Sequence, residues 1–176
     1  GKCDPWGRFW AGTMAYDFAA GAGSLWRVNP DFSCIRQRHG LTISNGLAWS
    51  QDRGTLYFID SPTRQVLAFP LTSSGDFSGE PIPCITIPED WDAVPDGMCI
   101  DAEGMLWIAL FGGGAVTRWD PASGLLLERL ALPCRQVTSC CFGGPNLDQL
   151  FVTTARQEMR AAAIKALTEA QYVKHG

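Results

Sequence analysis

Four aromatic residues, Trp10, Tyr57, Trp107 and Phe151, recur at spacings of 47, 50 and 44, each inside a short apolar run. In the two fullest copies the unit opens at Ser44-Asn45-Gly46-Leu47 and at Pro95-Asp96-Gly97-Met98. It then passes Gly54 or Gly104 and enters Leu56-Tyr57-Phe58-Ile59 or Leu106-Trp107-Ile108-Ala109. Gly7-Arg8-Phe9-Trp10-Ala11-Gly12-Thr13 repeats the glycine-plus-strand half, and Asp148-Gln149-Leu150-Phe151-Val152-Thr153 repeats it less closely. After each of the first three anchors a second apolar segment ends in a turn: Leu25–Pro30, Val66–Pro70 and Val116–Pro121. Short aromatic and β-branched runs cut by Gly, Pro, Asp and Asn predict antiparallel strands. A period of about 40 to 50 residues built from them predicts an all-β chain of propeller blades.

The repeat also places an oxygen-bearing side chain, Asn45 or Asp96, at the same point of successive units. Side chains so placed can converge on one centre, and amide and carboxylate oxygens suit a hard divalent cation. The competing reading is turn chemistry, since Asn-Gly and Asp-Gly are the commonest hairpin dipeptides. Two features weigh against it. Pro95 favours an extended approach to Asp96. Both dipeptides also run straight into apolar, strand-like residues, as the entrance to an innermost strand would. The residues alone leave the two readings balanced.

Composition removes several function classes. The 176 residues are 46% hydrophobic with seven Trp, enough for a core, and the formal net charge is −4. With no basic patch, no nucleic-acid partner is expected. No run approaches the ~18 apolar residues of a membrane span. The first residues do not read as a signal peptide and Gly1 is not an initiator Met, so the chain is expected to begin within a longer protein. The seven cysteines are odd in number and contain no Cys-x-x-Cys. That spacing argues against a zinc ribbon, and buried thiols in a reducing compartment are expected before a disulfide framework. A cytoplasmic setting, or a nuclear one, follows. His39 is expected just before a strand and His175 lies at the extreme end. Nothing joins either to a Ser or Cys nucleophile. Gly112-Gly113-Gly114 lacks the Lys and Ser/Thr of a phosphate loop and reads as a hairpin turn. Acid–base chemistry therefore falls to carboxylates and to water activated by a metal.

Several longer strings then carry a resemblance: Ile43-Ser44-Asn45-Gly46-Leu47-Ala48-Trp49-Ser50, Tyr57-Phe58-Ile59-Asp60-Ser61, Pro95-Asp96-Gly97-Met98-Cys99-Ile100-Asp101-Ala102-Glu103-Gly104 and Thr138-Ser139-Cys140-Cys141-Phe142-Gly143-Gly144. With the opening Asp4–Met14, they resemble the regucalcin and gluconolactonase-like family, also called the senescence marker protein family, from about Gly1 to Arg156. The resemblance implies a six-bladed β-propeller with one divalent metal (Ca, Zn, Mn or Mg) at the mouth of its channel. It implies hydrolysis of sugar lactones such as gluconolactone, and for animal members links to calcium handling and ascorbate synthesis. The family's Asn ligand falls on Asn45 and its Asp ligand, also its acid/base, on Asp96. Met14 and Asp17 fall in the substrate-contacting segment, with Asp17 standing where the family often carries Glu.

The match also implies what is missing. Six units of ~48 residues need about 300, and this chain holds under four. An incomplete propeller of three to four blades is expected over residues 1–157. The family's N-terminal Glu ligand and its substrate-binding Arg and Asn fall upstream of Gly1. Open sheet edges invite association with another chain. Residues 158–176 diverge into an Ala-rich stretch expected to be a helix or disordered. Two functions fit: a metal-dependent lactone hydrolase, or a non-catalytic calcium-binding propeller with the same ligands. An inactive fragment with a half-built site is the blander outcome.

Overall fold

The computed structural model describes residues 1–157. The expected strands form in order: β1 (Lys2–Cys3), β2 (Phe9–Gly12), β3 (Gly23–Val28) and β4 (Cys34–Leu41) make one antiparallel sheet. A second contains β5 (Ser44–Trp49), β6 (Thr55–Asp60), β7 (Gln65–Pro70) and β8 (Ile82–Thr86). A third contains β9 (Val94–Ile100), β10 (Leu106–Phe111), β11 (Ala115–Trp119) and β12 (Leu126–Ala131). A two-stranded sheet follows, of β13 (Val137–Gly143) and β14 (Gln149–Thr154). Each four-stranded sheet is paired in sequence order, as a propeller blade is. The described residues thus make three blades and the first half of a fourth. The tail expectation for 158–176 lies outside the described residues.

Alternation along the strands builds the seams between blades. Leu106, Ile108 and Leu110 of β10 enter one core with Ile59, Val66 and Ile85 of the second sheet. Trp107 and Ala109 point the other way, into a core with Val137, Cys140 and Leu150 of the fourth. Trp10 and Leu25 meet Trp49, Phe58 and Phe69 between the first and second sheets. Central blades are therefore apolar on both faces, which is why their strands read as continuous apolar runs instead of alternating ones. Each fully buried large side chain contributes about 1.5–3 kcal/mol. Phe151, the weakest anchor of the repeat, lies on the outer face of the half blade and is 52% exposed.

A second device ties the turns. After β1, Asp4 accepts from the backbone N–H groups of Trp6 and Arg8 with one oxygen. With the other it accepts from Arg8 Nε (2.6 Å) and Trp10 Nε1 (2.8 Å). After β9, Asp101 accepts from the N–H groups of Glu103 and Met105, and from Trp107 Nε1 (2.9 Å) and Arg118 Nε (2.7 Å). In the second blade Ser50 stands at this point and Tyr57 replaces the tryptophan.

Two expectations need correction. His39 lies within β4, exposed, and not ahead of a strand. The cysteines are free, but only Cys99, Cys134 and Cys140 are buried; Cys84 is half-buried and Cys3, Cys34 and Cys141 are exposed. The turn reading of Gly112–Gly114 stands, between β10 and β11.

Candidate metal centre

Neither Asn45-Gly46 nor Asp96-Gly97 is a hairpin turn; both lie inside first strands of blades. In β5, Ser44 pairs with Asp60 and Leu47 with Phe58, so Asn45 and Gly46 together oppose Ile59 alone. In β9, Pro95 pairs with Leu110 and Met98 with Ile108, so Asp96 and Gly97 oppose Ala109. Both dipeptides are β-bulges, which break the ladder and re-aim a side chain. The glycines let the strands close in. A Cβ on Gly46 would lie 2.8 Å from the Asp96 carbonyl oxygen, and one on Gly97 would lie 2.8 Å from the Thr138 carbonyl oxygen. The first strands β5, β9 and β13 therefore pack side by side at the bulges.

Local contacts fix Asn45. Buried Asp60, at the end of β6, accepts from the N–H groups of Thr42 (3.0 Å) and Ile43 (2.7 Å) and so sets the start of β5. Asn45 Nδ2 donates to Ser61 Oγ at 3.0 Å. That bond assigns the nitrogen end of the amide and leaves Oδ1 as the end a cation would need. Ser61 itself is buried at the start of the 3-10 turn Ser61–Thr63.

Asp96 is the electrostatically distinctive group. Burial pushes its carboxyl up to about 6, against the pull of hydrogen bonds from the Asn45 side chain and the Gly97 N–H. Asn45 and Asp96 are thus neighbours, as the repeat anticipated. Asp96 is a half-buried carboxylate in no ion pair among the described residues, and it meets the Asn45 amide; carboxylate and amide oxygens are donor types suited to a hard cation. Among the described residues no cluster of three His, Cys, Asp or Glu side chains could hold a metal.

The surroundings add residues the sequence did not single out. Lys2, Asn45, Gly46, Gly97, Met98, Thr138 and Ser139 line a cavity of ≈ 250 Å³, and Lys2 Nζ donates to the Met98 carbonyl at 2.9 Å. Thr138-Ser139 of β13 occupies the place of Asp96-Gly97, a correspondence hidden because neither residue resembles its counterpart. Val94, at the start of β9, lines a wider cleft of ≈ 810 Å³ with Arg64, Trp91, Asp92, Phe111, Arg135 and Gln136. Met14 is 43% exposed and bridges to Ile43, which places it at the rim beside the entrance of β5. Asp17 is exposed on the β2–β3 loop, where its carboxylate accepts from the Ala19 N–H. No contact brings Met14 or Asp17 onto Asn45 or Asp96 among the described residues.

Known proteins agree with this architecture. Residues 1–156 match the family described as the SMP-30/Gluconolactonase/LRE-like region. Human regucalcin is 42% identical over 165 residues, covering 90% of this chain and 54% of the relative. The crystal structure of a calcium-binding protein, regucalcin, from Agrobacterium tumefaciens superposes with TM-score 0.87 at 32% identity, covering 96% of this chain and 56% of that one. A gluconolactonase from Xanthomonas campestris, important in glucose secondary metabolic pathways, superposes with TM-score 0.71 at 25% identity, over 87% of this chain and 52% of that one. The chain spans about half the length of the curated relatives it matches. Among the described residues no helix is long and apolar enough to cross a membrane. The chain belongs to the SMP-30/gluconolactonase/LRE-like family.

Proposed function

We propose that this chain carries part of the site of a metal-dependent sugar-lactone hydrolase, with Asn45 and Asp96 as metal ligands and Asp96 as acid/base. The observation that supports it is the packing of the bulged inner strands, which sets a half-buried carboxylate of raised pKa against an amide. Family membership with proteins named as gluconolactonases supports the substrate class.

The residues suit lactone opening in a definite way. Asn45 and Asp96 would hold a divalent cation (Ca, Zn, Mn or Mg), which when bound supplies Lewis-acid polarisation of the ester carbonyl. Asp96 takes a proton from the attacking water and returns it to the ring oxygen as the C–O bond breaks. A carboxylate held against a cation stays ionised and is a weak base, so Asp96 serves chiefly to orient the attacking water. Asn45 contributes an oxygen without charge, so the pair leaves net positive charge to face the oxyanion that develops. Ser61 keeps the amide in its orientation. The cleft beyond Val94 gives a sugar ring room next to the strand that carries Asp96. Met14, at the rim, and Asp17 on the adjoining loop are the substrate contacts of this reading.

The test is turnover of gluconolactone by the chain with and without added Ca²⁺, Zn²⁺ or Mn²⁺, alongside Asp96→Ala. Metal-dependent turnover lost in the variant supports the hydrolase; turnover that survives in a folded variant refutes the role of Asp96. The calcium-binding description of the Agrobacterium relative favours a second reading, a binding module. Calorimetric metal binding that depends on Asp96, without turnover, would select it.

A further inference from the structure

We propose that Cys99 and Cys140 are a redox modification site, oxidised by a hydroperoxide to a disulfide that staples the third blade to the fourth. Three observations carry this, and none depends on the reading of the metal centre. The two sulfurs lie 3.7 Å apart although 41 residues separate them in sequence. They belong to the first strands β9 and β13, which pack together but share no ladder hydrogen bonds. A disulfide would therefore be the covalent link across that seam. Closing from 3.7 Å to a bond of about 2.05 Å is a short approach for two thiols already in contact.

The surroundings distinguish the two thiols. Cys140 Sγ also lies 3.3 Å from the Trp107 carbonyl, which its single S–H can meet in place of Cys99. The Cys99 thiol is pulled down, first by the hydrogen bond from Cys140 and then, against burial, by the Lys2 ammonium; Asp101 opposes this. Cys140, buried beside it, is held well above the usual thiol range. Cys99, the more exposed of the two, is the nucleophile and Cys140 the resolving thiol. Cys99 and Cys140 are 8% and 4% exposed, so only a small oxidant reaches them.

The chemistry balances. The Cys99 thiolate attacks one peroxide oxygen, breaking the O–O bond to give a sulfenic acid and hydroxide, which takes up a proton as water. The Cys140 sulfur then attacks the Cys99 sulfur, the S–O bond breaks, and the hydroxyl leaves as water with the Cys140 proton. Two thiols lose two hydrogen atoms, and one peroxide becomes two waters.

The experiment uses the chain with Cys84→Ser and Cys141→Ser. Tryptic peptides 65–118 and 136–156 then each hold one cysteine, Cys99 and Cys140. After stoichiometric hydrogen peroxide and alkylation in denaturant, mass spectrometry should find these peptides joined, and dithiothreitol should separate them. Oxidation should raise the melting temperature by several degrees, as a cross-link over a 41-residue separation would. Mass spectrometry of the unmutated chain, with the link assigned by fragmentation, covers the case in which the double variant does not fold. Alkylated Cys99 and Cys140 after exposure that oxidises Cys3 and Cys34, or Cys99 halted at the sulfinic acid with Cys140 free, would overturn the proposal.

Discussion

Asp96 and Asp101 are five residues apart on and just beyond one strand, β9, and the fold treats them in opposite ways. Burial works against both. At Asp101 it is outweighed by hydrogen bonds from Arg118, Trp107 and the Met105 N–H and by the Arg118 charge, so the carboxyl sits below its usual range. At Asp96 only Asn45 and the Gly97 N–H oppose burial, and the carboxyl rises to about 6. The difference lies in what faces each oxygen. The turn after β9 brings a guanidinium and an indole to Asp101. The bulge inside β9 turns Asp96 toward a neighbouring strand that offers a neutral amide. One aspartate holds the blade together; the other meets a neutral amide and keeps its proton more tightly.

The largest test of this contrast removes the clasps. Asp4→Ala, and less severely Asp101→Ala, strands a buried Arg and Trp donor, and should cost about 3–5 kcal/mol at Asp4 and somewhat less at the more open Asp101, read by denaturant unfolding. Asp96→Asn should do the reverse in the metal-free protein: stability at pH 8 unchanged or raised by about 1 kcal/mol, because a poorly solvated charge is gone. A large loss in Asp96→Asn would show that Asp96 is structural after all.

Acid titration should separate the two groups further. Asp101 and Asp4 have lowered carboxyl values, so their contribution is present above the unfolded value near 3.8 and is lost as pH falls through their folded values. Asp96 is raised, so the folded state holds its proton more tightly. Its contribution is full below about 3.8 and is lost as pH rises toward about 6. Metal affinity should fall as pH drops through about 6, since the proton competes for the ligand. Affinity flat from pH 5 to 8 by calorimetry would detach Asp96 from the metal. The smallest effects come from single supporting bonds. Trp107→Phe, which deletes the indole donor to Asp101, should cost about 1 kcal/mol. Ser61→Ala frees the Asn45 amide and should weaken metal binding a few-fold with little change in melting temperature.

The blades were legible in the sequence because their cause is local. Anchor spacing, glycine-marked turns and apolar runs place strands wherever the chain goes, and the repeat put Asn45 and Asp96 at equivalent points before any coordinates. The opposite surroundings of Asp96 and Asp101 were not legible, since each is an aspartate with a glycine within the next three residues. Only pairing with Ile59 and Ala109 across the sheet makes the two dipeptides bulges, and only blade packing decides which carboxylate meets Arg118 and which meets Asn45. Cys99 and Cys140, or Lys2 and the Met98 carbonyl, were equally out of reach. Sequence fixes what each short segment can form; contacts between residues 40 to 100 apart depend on how the blades stack. Burial and charge, which set the chemistry of those groups, exist only once they do.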